Sequence, residues 1–284
     1  MRVLITGAAG YLGRCICAAA SRRGHELIAV VRGGPTGDQV AADIVDPREI
    51  ERALRGAAAD AVIHAAAINP GQGDDVRMMA VNRDGTRNVA RAAAAADAHL
   101  IHVSSDMVHG GDRAPYPDDA EPAPINVYGR SKAAAEREAL DAVPGAAIVR
   151  TSLIYGLRQM DRGTAGFAAR LAAGEPLALF TDVLRQPVWV ETLAEALVLL
   201  TEGRLGGRFN VAGEQVLSRE GFGRRLLDWW GVPGRERLST GLGADASAHI
   251  PLDLRLDLAK VRRCLPLDLP GVDQVLSRIP PPGV

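Results

Sequence analysis

Short apolar runs recur along the first half of the chain, and mixed segments with helical character separate them. RVLITG (2–7), ELIAVVR (26–32), DAVIHAAA (60–67), AHLIHVSS (98–105) and AAIVRTSLIYG (146–156) read as strands. A stretch from about Tyr11 to Arg23 and REIERALRG (48–56) read as helices between them. The alanine run at 92–96 favours a helix packed on the sheet. Strands that are apolar along their whole length have no polar face to turn toward water. They therefore predict a parallel sheet covered on both sides, joined by right-handed crossovers.

After Gly156 the rhythm changes. LRQMDRGTAGFAARLAAGE predicts a loop and a helix, and QPVWV, ETLAEALVLLTEG and GRFNVAG then return to strand, helix and strand. From SREGFGRRLLDWWGV onward the pattern is helix and proline-rich loop.

Composition refines this picture only slightly. The chain has 284 residues, 47% hydrophobic and 24% charged, with a net charge of −1, enough for one large α/β domain and a smaller appendage. Such a balance gives no reason to expect nucleic acid or an acidic membrane surface as partner. No apolar run approaches the ~18 residues of a membrane span. Because RVLITG already reads as a strand, no signal peptide is expected. Cys15 and Cys17 point to different faces of one predicted helix and Cys264 stands alone, so neither a disulfide nor a metal pair is expected. The expected compartment is the cytoplasm.

Candidate chemistry starts with TGAAGYLG (6–13), where the first strand hands over to the first helix. Gly7 permits a tight turn, Gly10 lets backbone approach a pyrophosphate, and Gly13 lets the helix pack close to the strand. Free amides and the dipole at the helix N-terminus suit the anion. An acid about 20 residues on would bind the ribose 2′-OH of NAD, whereas an arginine accommodates the 2′-phosphate of NADP. The second strand ends in Arg32 with no acid, which favours NADP(H); Asp38 in the next loop leaves NAD(H) open.

HVSSDMVHG (102–110) places Ser104 and Ser105 at the end of a strand, where parallel sheets bind ligands. A serine there can polarise a carbonyl oxygen or cap a turn. In NVYGRSKAAAE (126–136), Tyr128 and Lys132 lie one helical turn apart on the same face. An ammonium beside a phenol favours phenolate and lowers a pKa that is ordinarily about 10. Taken alone, the pair equally fits an ordinary helix surface.

Together these motifs resemble the extended short-chain dehydrogenase/reductase family, and within it the dTDP-4-dehydrorhamnose reductases and related sugar-nucleotide reductases. The resemblance runs through TGAAGYLG, ADIVDP (42–47), HAAA (64–67), VNRDGTRNV (81–89), SSDMVHG, YGRSK and VRTSLIYG (149–156). It implies an α/β fold: a Rossmann-like doubly wound parallel sheet with a smaller C-terminal α/β substrate-binding domain. Residues 1–156 and 186–212 are expected in the first unit, 157–185 and 213–284 in the second.

The implied activity is NAD(P)H-dependent reduction of a keto group on a nucleotide-linked deoxy sugar. Ser105, Tyr128 and Lys132 would be catalytic. Tyr128 gives or takes the proton at the substrate oxygen and Ser105 polarises that oxygen. Lys132 binds nicotinamide ribose hydroxyls and depresses the tyrosine's pKa. Cofactor contacts are implied for Gly7, Ala9, Gly10, Tyr11, Leu12, Gly13, Arg32, Ala65, Ala66, Ala67, Asn82, Tyr128 and Lys132, with Asp43 and Ile44 flanking the adenine. Substrate contacts are implied for Ser105, Asp106, Met107, Tyr128 and Arg185, the last where relatives contact the diphosphate.

Met107 stands where that branch has a substrate-facing tyrosine. Asn82 equally fits a structural contact, Arg185 an ordinary surface position, and His109 a packed loop residue. Trp189, Trp229 and Trp230 are expected in the core or between domains. A small-molecule substrate and a homodimer complete the expectation. The alternatives are an NAD(P)-dependent sugar-nucleotide epimerase or dehydratase, a reductase of a small non-sugar carbonyl, and a non-catalytic nucleotide-binding regulatory subunit. A dehydratase would need an Asp-Glu pair near the serine, and SSDM has Asp106 with no following Glu.

Overall fold

The computed structural model describes residues 1–37 and 39–282. The first half runs β1 (Arg2–Thr6), α1 (Tyr11–Arg22), β2 (Glu26–Val31), β3 (Val40–Ala41), α2 (Pro47–Ala57) and β4 (Ala61–His64). It continues with α3 (Asp75–Met79), a π-helical turn at Ala80–Asp84, α4 (Gly85–Ala95), β5 (His99–Val103), α5 (Val127–Ala142) and β6 (Ala147–Thr151). Then come β7 (Ile154–Tyr155), α6 (Arg162–Ala172), β8 (Leu177–Phe180), β9 (Leu184–Arg185), β10 (Val188–Trp189), α7 (Val190–Glu202) and β11 (Gly207–Val211). The chain closes with β12 (Leu217–Ser218), α8 (Arg219–Trp229), β13 (Leu238–Gly241), α9 (Gly243–Ala246), α10 (Ala259–Cys264) and α11 (Val272–Arg278).

Seven strands form the central sheet in the order β11-β6-β5-β4-β1-β2-β3, and every neighbouring pair is parallel. The order reverses between β1 and β4, which opens a crevice above their carboxyl ends. Alternate residues of one strand point to opposite faces, so each strand feeds two cores. Val3, Ile5, Ile63, Ile101 and Val149 pack with Ile16 of α1 and Leu193 and Leu197 of α7. Leu4, Val62, Leu100 and Ile148 pack with Ile50 and Leu54 of α2 and Val89 of α4. In α4 the alanine run serves this second core, with Ala90 and Ala93 fully buried against the neighbouring helices.

A smaller unit gathers around α6, α8 and α11. Strand β8 pairs with β13, and β9 with β12. Leu171, Leu177, Leu179, Leu227 and Val232 form one of its clusters. The other, around Phe222 and Leu226, contains Trp229 with Trp189 and Trp230 packed on it. The stretch from Leu254 to Leu269 runs back to the large unit, where Leu254, Leu256, Leu258, Val261, Leu265 and Leu269 join the core of α1 and α7. Among the described residues, no helix is long and apolar enough to cross a membrane.

Candidate active site

The loop between β1 and α1 forms a cradle for an anion. A side chain at Gly13 would put its Cβ 2.0 Å from the Gly7 carbonyl oxygen, so only glycine lets α1 begin this close to the strand. Gly10 N–H donates to the Gly7 carbonyl (2.8 Å). As the N-cap, Gly10 brings no side-chain acceptor, which leaves first-turn amides of α1 open to a phosphate.

A cavity of about 410 Å³ extends from this loop along β2 and β4. Gly7, Ala9, Gly10, Arg32, Asp43, Ile44, Ala66 and Ala67 all line it. Gln72 and Arg77 line it too. They fall in a stretch without strand or helix periodicity, so no sequence signal pointed to them. Leu12 turns into the core, and Tyr11 faces an adjoining cavity of about 250 Å³. Asn82 lies behind the cradle, 1% exposed, within the π-helical turn. Its amide accepts from Ile68 N–H (2.9 Å) and donates to the Ile68 carbonyl and Ser131 Oγ (both 3.0 Å). Both amide hydrogens are thereby used, so Asn82 ties the cavity wall to α5 as a structural contact.

The candidate reacting groups stand at the end of β5. Ser104 Oγ points inward and donates to Glu136 Oε1 (2.6 Å). Ser105 caps the short turn Asp106–Val108, accepting from Met107 N–H and donating to Asp106 Oδ1 (both 3.2 Å). Helix α5 begins directly against this turn. Asn126 caps it by accepting from Gly129 N–H (2.8 Å), and a Cβ at Gly129 would fall 2.1 Å from the Met107 carbonyl oxygen. Glycine after Tyr128 thus lets the helix approach closely enough to bring the phenol beside Ser105.

Burial pushes the Tyr128 phenol up to about 12; the Ser105 hydroxyl pulls it down, Asp106 raises it and Arg185 lowers it. Lys132 is not among the groups that move it in the absence of cofactor. Lys132 Nζ donates to the Val103 carbonyl (2.7 Å) and lies 3.4 Å from His102 Nε2, and burial brings its own pKa down to about 8 against the pull of Glu136. At neutral pH Tyr128 is therefore a neutral phenol, the form that gives a proton.

Two histidines support the lysine from below. His64 and His102 occupy paired positions of β4 and β5, with ring centroids 5.3 Å apart. Thr86 Oγ1 donates to the Asn82 carbonyl (2.6 Å), so its oxygen must accept from His64 Nε2 (3.0 Å), and Thr6 Oγ1 donates to Nδ1 (2.7 Å). Burial and the Lys132 charge hold His64 down to about 3, and push His102 well below the ordinary range. Both rings are neutral, which lets His102 face the ammonium without repelling it.

On the cleft's other side, β9 delivers Arg185. Its Nη1 lies 2.7 Å from Asp106 Oδ2, and its Nη2 donates to Met107 Sδ (2.9 Å). His109 is fully buried and stacks on Tyr116, with centroids 4.0 Å apart, so it is a packed loop residue.

The model of the RmlD substrate binding domain family matches residues 1–271. The chain is similar to a dTDP-4-dehydrorhamnose reductase of Mycobacterium tuberculosis, 38% identical over 83% of this chain and 78% of that protein. A crystal structure of a hypothetical dTDP-4-dehydrorhamnose reductase from Sulfolobus tokodaii matches with a TM-score of 0.82 at 28% identity, covering 97% of this chain and 99% of its own. The Bordetella bronchiseptica enzyme WbmG, in complex with NAD and UDP, matches with a TM-score of 0.81 at 25% identity over 97% of this chain and 91% of its own.

Proposed function

Because the chain belongs to the RmlD substrate binding domain family, we infer that it reduces a keto group on a nucleotide-linked deoxy sugar with NAD(P)H. The observation that carries the catalytic assignment is the meeting of Ser105 and a neutral Tyr128 at the end of β5, the strand paired with β4, whose following residues Ala66 and Ala67 line the dinucleotide cavity. The residues fit the cofactor: the glycine cradle leaves room for a pyrophosphate and Ile44, Ala66 and Ala67 give the cavity apolar walls. Asp106, the one acid in SSDM, is committed to Arg185 at 2.7 Å, which disfavours the dehydratase alternative.

Bound NAD(P)H supplies hydride to the carbonyl carbon. Tyr128 donates its phenolic proton to the carbonyl oxygen, and Ser105 turns its hydroxyl from Asp106 to hydrogen-bond that same oxygen. Lys132 has one ammonium hydrogen beyond those aimed at Val103 and His102, and this one serves the nicotinamide ribose. Residues 157–185, 213–253 and 272–278 are the proposed substrate unit, with the stretch from Leu254 to Leu269 buttressing the large core. The family resemblance also supports a cytoplasmic homodimer.

Purified protein should oxidise NADPH when given dTDP- or UDP-linked 4-keto sugars and leave simple ketones untouched. Turnover of simple ketones alone would overturn the sugar-nucleotide reading.

The exposed Arg32 guanidinium, with Arg77 lining the same cavity, supports a preference for NADPH. Asp38, which keeps NADH open, lies outside the described residues. Arg32→Ala should cut the NADPH preference by roughly 10- to 100-fold, the scale of one charge-assisted hydrogen bond. Fluorescence titration with both cofactors measures it; an unchanged ratio removes Arg32 from the phosphate site.

Only as an ammonium does Lys132 have a third hydrogen left for the ribose, beyond those aimed at Val103 and His102. Its pKa of about 8 means that cofactor affinity should fall as pH rises through that value. The fall should vanish in Lys132→Met, where affinity is low throughout. A wild-type profile flat from pH 6.5 to roughly 9.5 would contradict the role.

A further inference from the structure

Two arginines lie near Asp106, and only one of them, Arg185, has a carboxylate within ion-pair distance among the described residues. Arg185 is buried, its Nη1 2.7 Å from Asp106 Oδ2 and its Nη2 on Met107 Sδ at 2.9 Å. Among the described residues, Arg185 Nε and Nη1 and Asp106 Oδ2 have no hydrogen-bond partner, so charge alone holds this pair, and a guanidinium so close to a carboxylate offers little net charge to a third group. Its neighbour Arg219 is different. Strand β12 runs antiparallel to β9, with Leu217 opposite Arg185, and the next residue but one, Arg219, donates its backbone N–H to the Val183 carbonyl (2.9 Å). That hydrogen bond fixes the start of α8 beside the strand carrying Arg185.

The Arg219 guanidinium lies over the Phe167 ring, 5.8 Å from its centroid. Among the described residues it makes no hydrogen bond and no ion pair, although the side chain is half-buried. Burial and the nearby Arg185 charge push its pKa down to about 10, while Asp161 and Asp106 pull it up. Asp161 is engaged elsewhere, capping α6 through Gly163 and Thr164. A half-buried, unpartnered cation beside a second arginine is costly unless an anion completes it. Its planar fork suits two phosphate oxygens at once.

Resting on the sugar-nucleotide reading, we propose that Arg219 grips the diphosphate of the substrate, while Arg185 stays on Asp106 and sets the turn that carries Ser105. The family position for diphosphate contact is thereby reassigned in this chain from Arg185 to a residue on α8.

The test titrates dTDP and UDP calorimetrically into the NADP⁺-saturated protein and its variants Arg219→Met, Arg219→Lys and Arg185→Met. Arg219→Met should weaken the better-bound diphosphate about 10- to 100-fold. Arg219→Lys should recover part of that loss, because it keeps the charge and loses the fork. Affinity for NADPH should be unchanged in both, which separates the substrate's diphosphate from the cofactor's. With a nucleotide-linked keto sugar, Arg219→Met should raise KM and leave kcat within about threefold, whereas Arg185→Met should lower kcat. Equal dTDP and UDP binding by wild type and Arg219→Met, or a larger loss in Arg185→Met, overturns the assignment. If the wild type binds neither nucleotide, the sugar-nucleotide reading falls and takes this one with it.

Discussion

Tyr128→Phe is expected to lower turnover by roughly 10²–10⁴, the usual scale of general acid catalysis, while NADPH binds as before. The substitution removes one oxygen and keeps the ring that fills the wall between Ser105 and the second core. Held at about 12 by burial, the phenol is protonated across the neutral range, so the wild type should show no loss of proton donor until strongly alkaline pH. Ser105→Ala should also reduce turnover, and by less, because the proton donor remains. Single-turnover absorbance measurements at saturating NADPH separate this chemistry from binding. Wild-type turnover by Tyr128→Phe would remove the tyrosine from the mechanism; loss of NADPH binding would make it a cofactor ligand instead.

The second large effect concerns stability. Arg150 and Glu136 form an ion pair at 2.8 Å with side chains 0% and 2% exposed, and a second bond joins Arg150 Nε to Glu136 Oε1 at 3.0 Å. Ser104 Oγ also donates to Glu136, and Arg150 Nη1 donates to the Ala120 carbonyl (2.7 Å). The pair thus ties α5, β5, β6 and the loop before α5 together. Glu136→Ala leaves a fully buried guanidinium without its counter-charge, which costs about 3–5 kcal/mol. For a chain of this size the melting temperature should fall by on the order of 10 °C. Glu136 also holds up the Lys132 ammonium, so its loss should weaken cofactor binding at pH values where the wild type still binds. Scanning calorimetry gives the first effect. A double variant, Arg150→Met with Glu136→Met, should recover much of the loss, since a packed apolar pair carries no stranded charge. A single variant that melts with the wild type would show the pair to be dispensable.

The parts of the fold legible in the sequence were those made by local pattern. β1, β4, β5 and β6 are continuous apolar runs because both faces of the sheet are covered, and the glycine cradle follows from sterics at Gly7 and Gly13. Tyr128 and Lys132 follow from helical spacing. The short strands β3, β8, β9, β12 and β13 were not legible, because two to four residues carry no period and their pairing is set by neighbours distant in sequence. The phenol's burial, which dominates its pKa without cofactor, was not legible for a related reason. Spacing shows which groups are near, and burial decides which effect wins. Arg185 could be placed by motif, yet the hold of Asp106 on it depends on β9 meeting the turn after β5. His64 and His102 stood in recognised motifs, and only the parallel register of β4 and β5 shows them side by side beneath Lys132. Arg77 and Arg219 had no pattern to announce them.

The two cores on either face of the sheet have an evolutionary consequence. Helix α1, which opens the cofactor cradle, packs with α7 on one face, while α5, which carries Tyr128 and Lys132, lies on the other. A change in volume at Ile16 is felt by Leu197 and not by Ile50, because a layer of hydrogen-bonded backbone stands between them. Substitutions in α1 or α7 that alter how the cradle is held can therefore accumulate on one side without repacking the helix that carries the acid. The seat of the cradle and the seat of the acid can thus drift on separate schedules.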